Sequence, residues 1–176
     1  MYCPAHHRLD DRTALFAWIE AHPLATWVCA GPDGLAAHHR VFLLDRQRGP
    51  HGTLRTSIAP DDTDAQAVPD GAPALLIFHG PQLYITPGWY PGKAEHGRVV
   101  PTWNYAVVHA HGTVCRSADG LAIDIPVDRL EGKLKASQDE ARPDREGTVQ
   151  GLHALGTDAA RTMAALVRQA LDNPPP

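Results

Sequence analysis

The chain has 176 residues, 43% of them hydrophobic and 20% charged, with a net charge of −4 when histidine is neutral. That length supports one domain with a real core. The acidic balance argues against a general nucleic-acid binder, no apolar run approaches the roughly 20 residues that span a bilayer, and "MYCPAHHRLDD" has no apolar leader core, so a cytoplasmic protein is expected.

The first element expected is a helix capped by Asp10 or Asp11, with Leu15, Trp18 and Ile19 on one face and Pro23 closing it. A strand at 25–30 ("ATWVCA") follows, then a "GPDG" hairpin turn, a strand at 35–45, a "GPHG" turn and a third strand at 53–59. Residues 60–73 are acidic and proline-containing and read as a loop with one helical turn. "ALLIFHG" (74–80) has the length and composition of a buried strand, and "GPQ" is expected to turn it into a strand at 83–87. A long strand covers about 102–115, and another, "LAIDIPV", covers 121–127. The tail is helical: Met163, Leu166, Val167, Ala170 and Leu171 form a stripe, Thr157 or Asp158 caps it, and "NPPP" stops it.

Six or seven strands in hairpin order, with helices at the two ends, predict an α+β, mainly β fold built on a closed antiparallel barrel. One domain is expected over 1–176: an N-terminal helix to residue 24, barrel strands over 25–128, and a cofactor-proximal segment with the C-terminal helix over 129–176. Cys3, Cys29 and Cys115 lack CxxC spacing, so thiols in a reducing compartment are expected rather than a disulfide frame.

Strand alternation puts Tyr105, Val107, His109 and His111 on one face and Asn104, Ala106, Val108 and Ala110 on the other. Two histidines at i, i+2 can address one ligand or metal. No Asp, Glu or Cys at metal-like spacing accompanies them, so hydrogen bonding to neighbouring strands or solvent is the favoured reading. His38 and His39 are adjacent and face opposite ways. Residues 84–112, "YITPGWYPGKAEHGRVVPTWNYAVVHAHG", set Trp89, Tyr90 and Trp103 beside Lys93, Glu95, His96 and Arg98. Aromatic walls suit a planar ligand and cations suit phosphate or carboxylate. "RLEGKLKASQD" (129–139) adds Lys133, Lys135, Ser137 and Gln138 as donors for an anion. No GxGxxG, Walker loop, GxSxG or HExxH is present.

"MYCPAHH", "AHHRVFLLD", the 84–112 block and "RLEGKLKASQ" are similar, in order, to the PaiB-type family of FMN-binding negative transcriptional regulators. The resemblance covers most of residues 1–140. It implies a split β-barrel of the flavin-reductase and pyridoxamine-oxidase kind, a homodimer, and two cofactor sites at the subunit interface. Two departures stand out. The segment after Cys115 is short, and "RTSIAPDDTD" sets Ser57 and Pro60 where the family tends to carry Gly-His and Arg-Ala-Asn. Haem-dependent piperazate synthases of the same family share a PTWN-like block and a VHxHG-like strand.

Three functional readings follow. In the first, FMN binds at the homodimer interface against Trp103 and Asn104, its phosphate meets Lys93, Arg98, Lys133 or Lys135, Ser137 and Gln138 donate hydrogen bonds, and Trp89, Tyr90, Glu95, His96 and Tyr105 line the substrate pocket of a flavin-dependent oxidoreductase. In the second, haem b replaces FMN in an enzyme that closes a nitrogen–nitrogen bond, with His109 or His111 as axial ligand and His38, His39, His79 and His96 as the other choices. In the third, the protein is a non-catalytic, metabolite-sensing regulator. The absence of a helix-turn-helix pair and of a basic patch argues against direct DNA contact.

Overall fold

The structure, a computed structural model, describes residues 1–31 and 34–172. The central residues of the expected "GPDG" turn and the closing "NPPP" lie outside the described residues. In chain order the elements are β1 (Arg8–Leu9), α1 (Arg12–Ala21), β2 (Leu24–Gly31), β3 (Gly34–Val41), β4 (Leu43–Asp45), β5 (Thr53–Ser57), α2 (Thr63–Ala67), β6 (Pro73–Ile85), α3 (Gly92–His96), β7 (Thr102–Thr113), β8 (Cys115–Arg116), β9 (Ala122–Lys135), α4 (Arg142–Leu155) and α5 (Asp158–Asp172). Contacts group them into two compact units. The larger holds Leu9–His79 and Val107–Gly132; the smaller holds Met1–Arg8, Gly80–Ala106 and Lys133–Pro176. All four boundaries fall inside strands: β1, β6, β7 and β9.

In the larger unit, Asp11 caps α1 by accepting from the amides of Thr13 and Ala14, and Leu15, Phe16 and Ile19 are buried. The strands run in the order β3-β2-β6-β7-β9-β5-β4. β2 pairs antiparallel with β3, bringing Leu24 opposite Val41, and with β6, bringing Trp27 opposite Leu76. β5 pairs antiparallel with both β4 and β9. β3 and β4 end the order at opposite sides, yet only Phe42 separates them in sequence. Phe42 is 1% exposed, and its amide donates to the Pro23 carbonyl at 2.9 Å. A guanidinium N–H of Arg40 on β3 reaches the Ser57 carbonyl on β5 at 3.3 Å. The sheet therefore curls until its ends meet, which is a split barrel. Alternation fills the interior: Ala25, Trp27 and Cys29 from β2, Leu76 and Phe78 from β6, Val108 and Ala110 from β7, Ile123, Ile125 and Val127 from β9. Arg116 locks α2 beneath this core, donating to the carbonyls of Ala65 (2.7 Å), Gln66 (2.8 Å) and Val68 (2.5 Å). Those are the last carbonyls of a short helix, which have no acceptor role within the helix itself.

The smaller unit rests on α4 and α5. The Thr157 hydroxyl accepts from the Ala160 amide at 3.2 Å, and Ala160, Met163, Ala164, Val167, Ala170 and Leu171 form the buried stripe of α5. They pack with Val149 and Leu152 of α4 and with Ile85 and Tyr90. Trp89 lies against α4 where two glycines allow it: a methyl added at Gly147 would overlap the Trp89 carbonyl, and one at Gly151 would overlap its indole ring. Helix α4 ends at Gly156 with φ 68°.

Three sequence expectations change. "GPQ" does not turn; β6 runs unbroken through it, since proline is tolerated in a strand where no partner needs its amide. β9 continues to Lys135, so "RLEGKLK" is strand. The expected 35–45 strand bends at Phe42 into β3 and β4.

Candidate functional site

A cavity of about 440 Å³ opens in the larger unit where the ends of the sheet meet, lined by His39, Arg40 and Val41 of β3, Leu43 of β4, and Arg55, Thr56 and Ser57 of β5. Arg40 is the anchor. One guanidinium nitrogen pairs with Asp62 and another donates to the Ser57 carbonyl, while Nε is buried with no partner among the described residues. Arg55 lies 3.5 Å from Asp124, a carboxylate it shares with Arg48 at 2.8 Å. The Asp124 hydrogen bond raises the pKa of Arg48, so that cation is held firmly. Asp45 adds a further carboxylate acting on Arg48. His39 contacts the Thr26 hydroxyl at 3.2 Å, and His79 approaches the same oxygen at 3.5 Å. His38 points inward, 4.9 Å from the Trp27 ring; burial lowers its pKa and its Nε2 has no partner among the described residues. Beside the cavity, Leu24 (58%), Val41 (52%) and Leu43 (69%) expose apolar side chains.

This arrangement suits an anionic ligand with an apolar body. The exposed Arg55 guanidinium can pair with a phosphate, and exposed aliphatic side chains at the rim suit a ring system. The sequence signal was "HHR" and "LRTS" on separate strands. Nothing in either segment alone says that they converge.

The smaller unit gathers part of the sequence-derived set. Lys133 sits 5.1 Å over the Tyr105 ring and 5.7 Å over the Tyr2 ring, and donates to the Tyr2 carbonyl at 3.1 Å. Lys135 bonds the Thr102 hydroxyl. Trp103, half exposed, lies 6.2 Å from Tyr84. Asn104 is fully buried and donates to the Ser137 hydroxyl at 2.9 Å, with its own Oδ1 unpartnered. Ser137 holds φ at 58°, a left-handed value rare outside glycine. Gln138 is spent internally: its carbonyl accepts from the Ala136 amide at 2.6 Å and contacts His7 Nδ1 at 3.0 Å, and its amide donates to the Leu134 carbonyl at 2.7 Å. Burial lowers the pKa of His7.

Lys93, Glu95 and His96 lie exposed on α3, and Arg98 is exposed just after it, its amide donating to His96 Nδ1 at 3.1 Å. Trp89 and Tyr90 belong to the core of the smaller unit. Burial pushes the Tyr90 hydroxyl up to about 12, against the opposing pull of the Ser137 and Thr148 hydroxyls beside it. Arg145 on α4, which the sequence reading passed over, is 7% exposed with Nε and one Nη unpartnered; burial lowers its pKa.

His109 and His111 lie together on β7 in the larger unit, both partly exposed, with ring centroids 6.4 Å apart. His111 Nε2 is 3.1 Å from Glu131 on β9. Among the described residues, no helix is long and apolar enough to cross a membrane.

Residues 1–168 match the family model FMN_bind_2, described as "Putative FMN-binding domain". Uncharacterized protein AN0679 of Emericella nidulans is 26% identical, with 96% of this chain and 97% of that protein covered. Uncharacterized protein YKL070W of Saccharomyces cerevisiae is 32% identical over 65% of this chain and 67% of its own length. "Protease synthase and sporulation protein PAI 2" of Bacillus subtilis is 23% identical over 64% of this chain and 51% of its length. Among solved structures, the FAD and heme binding protein of Mycobacterium smegmatis superposes with a TM-score of 0.54 at 15% identity, covering 82% of this chain and 80% of that one.

Proposed function

The chain belongs to the FMN_bind_2 family, and on that premise we propose that it is a homodimeric flavoprotein that binds FMN in the cavity between β3 and β5 and acts as an oxidoreductase. The observation that carries this reading is the exposed guanidinium of Arg55 beside Arg40 in the wall of that cavity. Arg40 and Arg55 hold the phosphate, and Thr56 and Ser57 supply hydroxyls. A volume of about 440 Å³ falls within the usual range for cofactor pockets. Bound FMN supplies hydride and one-electron chemistry. The chain orients it, neutralises its phosphate and keeps water from one side.

Leu24, Val41 and Leu43 form the apolar rim that a second copy covers, which places the partner next to the cavity mouth. Trp103, Lys133 and Lys135 remain the alternative place for the cofactor, and the test separates the two. FMN is titrated into purified protein and followed by flavin fluorescence. Binding is expected, with Arg55→Ala weakening it about ten-fold or more, since a lost charge-assisted hydrogen bond is worth ~1.5–3 kcal/mol. Lys135→Ala leaves it unchanged. Leu43→Glu converts the dimer to a monomer on a sizing column and weakens FMN binding with it. Absence of flavin binding defeats the proposal. Loss in Lys135→Ala with retention in Arg55→Ala moves the site to the smaller unit.

A further inference from the structure

The acidic partner that the sequence did not supply for His109 and His111 comes from the next strand. β7 and β9 are neighbours in the sheet. His109 and His111 stand at i, i+2 on the same side of β7, and Glu131 of β9 meets them there. One ligand atom from each of the three residues lies within 4.8 Å of the other two. His111 Nε2 and Glu131 Oε2 are 3.1 Å apart, and Arg129 holds the other Glu131 oxygen at 2.6 Å.

We propose that His109, His111 and Glu131 form a binding site for a divalent transition-metal ion of the zinc class, with a further position open to water. Two imidazoles and one carboxylate are the donor set of three-ligand zinc sites, and nitrogen and oxygen bind zinc at about 2.0–2.2 Å. Donors around a tetrahedral ion at that radius stand roughly 3.3–3.6 Å apart. The His111–Glu131 separation needs only a small adjustment to match. The donors ride on two paired strands, so little backbone ordering remains to be done when the ion arrives. Arg129 acts as the outer partner that fixes the carboxylate, a role such partners play in known metal sites. The His111 and Glu131 side chains are 29% and 27% exposed, so the site is reached from solvent and one coordination position stays exchangeable. A second grouping, His6, His7 and Asp139, has two exposed members, and its His7 is already held by Gln138. It serves as the internal control.

The test uses the full chain stripped of metal with EDTA and titrated calorimetrically with ZnCl2. One Zn²⁺ per chain is expected. His109→Ala, His111→Ala and Glu131→Gln each weaken binding about ten-fold or more, while His6→Ala has no effect. Cobalt substitution gives the strong visible bands of a four-coordinate site. A measurement on the unaltered chain guards against variants that fail to fold: Zn²⁺ shifts the imidazole ¹⁵N resonances of His109 and His111. No binding, or shifts confined to His6 and His7, overturns the proposal and leaves a histidine–glutamate hydrogen bond.

Discussion

The two units present opposite combinations of chemistry and shape. The smaller one collects the conspicuous residues, with Trp103, Tyr84, Tyr105, Lys133 and Lys135 on or near its surface. The larger one carries the cavity at the seam between β3 and β5, lined by residues that look ordinary in the sequence. Aromatic and cationic side chains can be counted within a segment. Concavity arises only when strands remote in sequence are brought together. A site search by residue type therefore leads to the smaller unit, and one by geometry leads to the larger.

The interiors differ as well, and substitutions sharpen the contrast. Trp27 is fully buried in the barrel, with Phe42 edge-on at 6.4 Å. Trp27→Ala is expected to cost about 3–5 kcal/mol, read as a drop in the urea midpoint; a loss near zero would mean the barrel core is not packed as described. Arg116→Leu, which releases three carbonyls at the end of α2, is expected to cost about 2 kcal/mol and to raise amide exchange in 63–70 before elsewhere. In the smaller unit Gly151→Ala forces a methyl into the Trp89 ring. Overpacking of this kind costs about 1–3 kcal/mol, and tryptophan fluorescence should shift as Trp89 is displaced.

Acid affects both units through histidines set partly or wholly away from water. His38 and His109 in the larger and His7 in the smaller have pKa values held below the ordinary 6.5 by burial. The unfolded chain then binds more protons than the folded one between the folded value and 6.5. Stability is full above that window and is lost as pH falls through it. Melting temperature should drop as pH goes from about 7.5 to about 5, with His38→Gln and His7→Gln each flattening part of the slope. An unchanged slope in either variant would remove that histidine from the account.

The barrel was legible from local signals: the alternation of "LAIDIPV" separates Ile123 and Ile125 from their polar neighbours, and the length and composition of "ALLIFHG" mark a buried strand. The C-terminal helix was legible from the stripe at Met163, Val167 and Ala170. Helix α4 was not, because much of the face it turns to Trp89 consists of Gly147 and Gly151. Those residues read as breakers in sequence and act as contact surfaces in the fold. Its buried Asp144 accepts from the Gly92 amide at 2.8 Å, a partner 52 residues away. Arg40, Arg55 and Glu131 were missed for the same reason: each gains its meaning from a neighbour on another strand. The family likeness supplied the split-barrel type and the flavin expectation, which residue patterns alone could not.

The four boundaries between the units, all within strands, bear on how the gene can be cut. No truncation from either terminus yields one unit intact, and a protease nick at any boundary must first melt a ladder of hydrogen bonds. Neither unit lifts out as one continuous segment, because each is assembled from separate stretches of the sequence.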